Sequence, residues 1–94
     1  MGKRTKLYLT LLEMLDAAEA NSEERVIALN ERFIPEYHRV MPRHYNHDSI
    51  ADLYDRAGNK LLGTIDDNMT SKEKKEELKE AKKIISRIKK SERY

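Results

Sequence analysis

The chain has no cysteine and no tryptophan, three glycines, two prolines, one phenylalanine and no long apolar run. Without cysteine there are no disulfides and no thiolate chemistry, and a reducing compartment suits the chain. Gly58 and Gly63 are isolated, so no glycine-rich loop is present to cradle phosphate. No apolar stretch nears the roughly 18 residues of a membrane span. The N-terminus imitates a leader, with Lys3, Arg4 and Lys6, then Leu7 to Leu12, then Ala18-Glu19-Ala20. Glu13 and Asp16 sit inside or beside the apolar region, where insertion is costly. These features lead to the expectation of a soluble, cytoplasmic protein with no membrane partner.

What is present is charge. Ninety-four residues make a single domain over 1–94, with a flexible N-terminus expected over 1–4. A chain this small must draw its core from nearly every apolar residue it has. Charged residues make up 38% of it, against roughly 25% in globular chains. The charge is mixed in sign, as on a solvated helical surface, yet it is unevenly distributed. Residues 1–12 carry +3, residues 13–67 carry −6 and residues 68–94 carry +5, giving the net +2.

Residues 70–93 read as a long amphipathic helix. Thr70 stands three residues before Glu73, the spacing of a reciprocal cap. Leu78, Ala81, Ile85 and Ile88, with Ile84 beside them, form one apolar stripe. The last turns are basic, which suits the negative end of the helix dipole. A first helix is expected from Thr5 to Ala20, with Leu7, Leu11, Met14 and Ala18 inward. Asn21 and Ser22 end it and can start the next: Asn21, three residues before Glu24, suggests a cap for a second helix carrying Val26, Leu29, Phe33 and Tyr37 inward, with Ile34 alongside. Pro35 predicts a kink or a break there. Residues 41–48 form a Pro/His/Tyr loop by composition.

The 49–67 stretch fits two structures. As a helix, Ile50, Leu53, Tyr54 and Ala57 share a face and Gly58 stops it. As a hairpin, Asp55-Arg56-Ala57-Gly58 is the turn, and Gly63 with the β-branched Thr64 and Ile65 suggests a strand. The hairpin is favoured. The expected fold is mainly α: two N-terminal helices, a short β-hairpin over about 50–65, and a long C-terminal helix. An all-α bundle is the alternative.

Three constellations could carry function. His44, His47 and Asp48 offer imidazole and carboxylate ligands for a divalent metal. Hairpin followed by helix resembles the His-metal finger nucleases in outline, but residues 70–93 hold no His, Asp or Asn to complete such a site. Lys82, Lys83, Arg87, Lys89, Lys90 and Arg93 could contact nucleic-acid phosphates. Ser49 to Leu53 resembles the start of a bacterial repressor helix-turn-helix, yet Tyr54 stands where that motif wants a small residue. Five aspartates nearby would also repel phosphate. Finally, Tyr37, Tyr45, Tyr54, Ile84 and Ile88 could anchor a protein partner or a homodimer.

No serine sits in a glycine-flanked elbow, and the acid pairs suit helix surfaces, so no enzyme activity and no cofactor are expected. The sequence therefore suggests a small regulatory or inhibitory protein acting by protein–protein contact, in the manner of bacterial or phage accessory factors. A nucleic-acid-binding regulator using the C-terminal helix is the alternative.

Overall fold

The computed structural model describes residues 4–41 and 49–92, and among these there are four α-helices and no strand. They are α1 (Thr5–Glu19), α2 (Glu23–Val40), α3 (Ser49–Gly63) and α4 (Ser71–Glu92). The all-α alternative is the one realised. The 41–48 loop, apart from Met41, and the 1–4 terminus, apart from Arg4, lie outside the described residues.

The hairpin expected over 50–65 is absent, and α3 runs through it. The cause is the demand on a small core. A hairpin would turn Ala51, Leu53, Leu61 and Ile65 to one face and leave Ile50 and Tyr54 on the other. At helical spacing, Ile50, Ala51, Leu53, Tyr54, Ala57 and Leu61 are all buried together. Gly58 neither turns the chain nor ends the helix. It lies on the buried stripe, where a methyl group would sit 3.0 Å from Phe33 Cε1 and 3.4 Å from its Cζ. The missing side chain lets the Phe33 ring approach the backbone of α3. The helix instead unwinds past Gly63 through short-range bonds from Thr64, Ile65 and Asp66 amides to Leu61, Leu62 and Gly63 carbonyls.

Helix boundaries follow local chemistry. The reciprocal cap of α4 forms as read: the Glu73 amide donates to Thr70 Oγ1 and the Thr70 amide to Glu73 Oε1, each at 3.1 Å. The Asn21–Glu24 cap does not. Asn21 has φ 57°, the left-handed conformation. The Ser22 amide donates to Ala17 at 2.9 Å and the Asn21 amide to Ala18 at 3.0 Å. Asn21 therefore closes α1 in a Schellman motif rather than opening α2. Ser22 precedes α2 without a side-chain capping bond, and Glu23 and Glu24 favour its positive end. Helix α2 continues through Pro35. Pro35 and Glu31 are both exposed, so the carbonyl that Pro35 cannot satisfy is open to water.

Helices α1 and α3 each touch all three others, whereas α2 and α4 share no contact among the described residues. The fold is thus a rhombus in section, with α1 and α3 on the short diagonal and α2 and α4 as opposite flanks. Leu7, Leu11, Met14, Val26, Tyr54, Leu61 and Ile88 are fully buried at its centre. Arg4 meets Glu92 and Glu19 meets Lys82, so α1 and α4 run antiparallel. The Arg4–Glu92 pair is bidentate, Nε to Oε2 at 2.8 Å and Nη2 to Oε1 at 2.7 Å. With the Glu92 side chain 9% exposed, it has the geometry that lifts an ion pair above the roughly 0–1 kcal/mol of an exposed one.

The two helical glycines should respond oppositely to alanine. Nothing lies within 4 Å of a methyl on Gly63, so Gly63→Ala should stabilise by about 0.5–1 kcal/mol. At Gly58 the same gain is outweighed by overpacking against Phe33, about 1–3 kcal/mol. Thermal denaturation should therefore show Tm rising for Gly63→Ala and falling for Gly58→Ala. A rise for both would mean that the Phe33 contact does not set the spacing of α2 and α3.

Candidate functional site

The expected aromatic and aliphatic anchors do not form one patch. Tyr54 is fully buried, and Ile84 and Ile88 are 6% and 0% exposed. Their stripe is the inner face of the bundle, because the core needs them. Tyr45 lies outside the described residues. Tyr37 remains, half-buried, with its hydroxyl donating to the Ala51 carbonyl at 3.2 Å across the α2–α3 boundary. Ile34 was expected to face inward beside Phe33, but it is 47% exposed.

These two residues open the way to a site that sequence patterns missed. Between α2 and α3 lies a groove of about 250 Å³, lined by Phe33, Ile34, Tyr37 and Leu62 with Asn30, His38, Asp55 and Asn59 around them. Gly58 also lines it, so the ring that packs on the glycine is the ring that walls the groove. Phe33 and Tyr37 are stacked, with centroids 6.1 Å apart and an interplanar angle of 29°. Tyr37 meets His38 edge-on at 5.6 Å. The result is a notch of mixed polarity, in which aromatic and aliphatic side chains stand beside amide groups, an imidazole and one carboxylate. The signal available in the sequence was Asn30, Ile34 and His38 at intervals of four, a row that continues from Val26 along the edge of the buried stripe of α2.

The second candidate surface lies on the opposite flank. Lys82, Lys83, Arg87, Lys89 and Lys90 are all exposed on α4, while Arg93 lies outside the described residues. At 100° per residue they share the outward arc with Lys72, Lys75 and Lys79, which are also exposed. Glu76 is the carboxylate within that arc. Glu73, Glu77 and Glu80 fall on the flank toward α3. There Lys60 Nζ sits 2.7 Å from Glu80 and 3.6 Å from Glu77. A shallow depression beside α1 is lined by Lys75, Lys79, Lys82, Leu78 and Glu19. Glu19 lies 3.3 Å from Lys82.

The metal candidates His44, His47 and Asp48 lie outside the described residues. Among the described residues, no three His, Asp or Glu side chains gather closely enough to hold a metal ion. No described helix is long and apolar enough to cross a membrane. No family model matches the chain, and no curated protein or solved structure is significantly similar to it.

The α3–α4 ion pairs set a pH response. The hydrogen bond from Lys60 holds the Glu80 carboxyl below its ordinary value of 4.5. The same bond to Glu80, with Glu77 adding to it, raises the Lys60 ammonium above 10.5. Glu80 therefore contributes stability that is complete above its unfolded value and is lost as pH falls through its lowered folded value. The Lys60 contribution is present below 10.5 and lost as pH rises past its raised value. Lys60→Gln should lower Tm by a constant amount near neutral pH. That difference from the wild type should close as pH falls below about 4.5. Thermal scans between about pH 7 and about pH 3 check this. A difference unchanged at the acid end would place the Lys60 contribution in packing instead.

Proposed function

We propose that the protein is a small, cytoplasmic, non-catalytic regulatory or inhibitory factor, of the bacterial or phage accessory kind, that acts by binding a protein partner at the α2–α3 groove. The observation that carries this reading is the amphipathic notch in which Phe33, Tyr37 and Leu62 meet Asn30, Asp55 and Asn59, with Ile34 exposed beside them. Its volume of about 250 Å³ accommodates one or two side chains rather than an organic cofactor. Stacked aromatics beside a polar margin resemble the pockets in which interface hot spots are seated. The partner that fits would present an aliphatic or aromatic side chain to Phe33 and Tyr37, with a neighbouring cation or amide for Asp55, Asn30 and Asn59. Non-catalytic action agrees with the sequence, whose serines occupy caps and helix faces and whose thiols are absent.

A photo-crosslinking amino acid at Ile34, with Leu9 as the control site, tests the proposal in the cells that make the protein. Leu9 is 52% exposed and does not line the groove. One protein species should crosslink from position 34 and not from position 9. The purified partner should bind the wild-type chain in high salt and lose at least about tenfold in affinity, or about 1.4 kcal/mol, to Ile34→Asp. Equal crosslinking from both sites, or a purified partner indifferent to Ile34→Asp, would sink the reading. A crosslink only to a second copy of the chain would replace the partner by a homodimer.

A further inference from the structure

The outward face of α4 is not explained by the fold. A solvated helix face ordinarily mixes charges at i, i+4, but here Glu73, Glu77 and Glu80 lie on the α3 flank and the open side carries the cations with Glu76 as its one described carboxylate. The helix dipole accounts for Lys89 and Lys90 in the last turn. It cannot account for Lys72 and Lys75, because cations near the positive end of a helix are disfavoured. Among Lys72, Lys75, Lys79, Lys82, Lys83 and Lys90, only Lys82 has a described carboxylate within ion-pair distance. The others face Glu76 alone within the arc, and Lys83 also feels Glu80 at its border, so the face keeps an excess of positive charge. A polyanion would neutralise that excess.

We propose that this face binds the phosphate backbone of B-form duplex DNA without reading its sequence. The stripe from Lys72 to Lys90 spans about 27 Å of a straight helix, and its cations spread over nearly half the circumference. A helix lying in the B-form major groove, about 12 Å wide, meets phosphates on both sides, and a broad arc of charge matches that arrangement. The outward arc holds no aromatic residue on which an unpaired base could stack, as single-strand binders require. It holds no Asn or Gln to read adenine and a single described arginine, Arg87, to clamp guanine. The deep, narrow major groove of A-form RNA does not admit a helix. An anionic membrane is disfavoured because the arc between the cations presents Ser86 and no large apolar side chain to insert. Two described carboxylates compete for the place of a phosphate: Glu76 within the arc and Glu19 through Lys82.

This site lies on the opposite flank from the α2–α3 groove, so the two readings stand or fall separately. The test is fluorescence anisotropy of the full chain with a labelled DNA duplex of roughly 20 base pairs, longer than α4. Parallel arms use single-stranded DNA, duplex RNA and anionic vesicles. Duplex DNA should bind tightest, and affinity should fall by about 10³-fold between about 50 and about 200 mM salt. Lys79→Gln and Lys83→Gln should each reduce the salt slope by about 1. Arg25→Gln and Arg32→Gln on α2, which remove the same net charge, should leave it unchanged. Ile34→Asp should leave DNA binding intact, and Glu19→Gln should tighten it. All these positions are exposed, and an unchanged Tm confirms that the variants fold. No binding at about 50 mM salt, or equal losses for the α2 variants, would overturn the proposal. So would tighter binding to single strands, duplex RNA or vesicles.

Discussion

The approach of the Phe33 ring to the backbone of α3 at Gly58 is the contact on which the arrangement of the remaining parts depends. With 3.0 Å between the ring and the place a methyl would occupy, α2 lies close enough to α3 for Tyr37 to reach the Ala51 carbonyl. It also keeps Phe33 5% exposed, part of the core and part of the groove wall at once. Close packing makes such positions sensitive to single methyl groups. The proposed partner site is therefore shaped by the same packing that joins α2 to the rest of the bundle.

The rhombic section separates two kinds of surface. Helices α1 and α3 are occupied with neighbours on three sides, so the broad solvent faces belong to α2 and α4. Along α2 that face offers Ile34 and the notch beside it. Along α4 it offers lysines. Neighbours account only for the two edges of α4: Lys60 of α3 pairs with Glu77 and Glu80 on one flank, and Glu19 of α1 meets Lys82 on the other. A chain with a net charge of only +2 can thus present a strongly positive field on one side, because field depends on placement rather than on the sum.

Much of the helical framework was legible in the sequence. The apolar repeats of α1 and α4 and the Thr70–Glu73 cap signal helices by local rules, and those rules operate within a few residues. The 49–67 stretch was misread because Gly58, Thr64 and Ile65 carry local signals for turn and strand. What decides between hairpin and helix is tertiary: Phe33, twenty-five residues earlier, needs a residue without a side chain opposite it. Asn21 ends α1 as its chemistry suggests, but it does not also cap α2, since a left-handed residue that ends one helix and a cap that starts the next favour the same side-chain chemistry. Tyr54, Ile84 and Ile88 look like surplus anchors until the depth of the core is known. Ile34 looks like core until its neighbours Pro35 and His38 are seen to be exposed with it. The basic residues near the C-terminus were visible in the sequence, and their alignment with Lys72, Lys75 and Lys79 follows from the continuous helix that the sequence already indicates over 70–93.

The Arg4–Glu92 pair joins positions 88 residues apart in sequence and brings the start of α1 to the end of α4. Since these two ends are neighbours, a short peptide could bridge them. The exposed turn at Asp66, Asp67 and Asn68 could then be opened to give new ends, as circular permutation generally requires. The permuted chain would begin with α4 and finish with α3. It would keep the Phe33–Gly58 contact and both outer flanks. The order in which the four helices are synthesised is thus not dictated by how they pack.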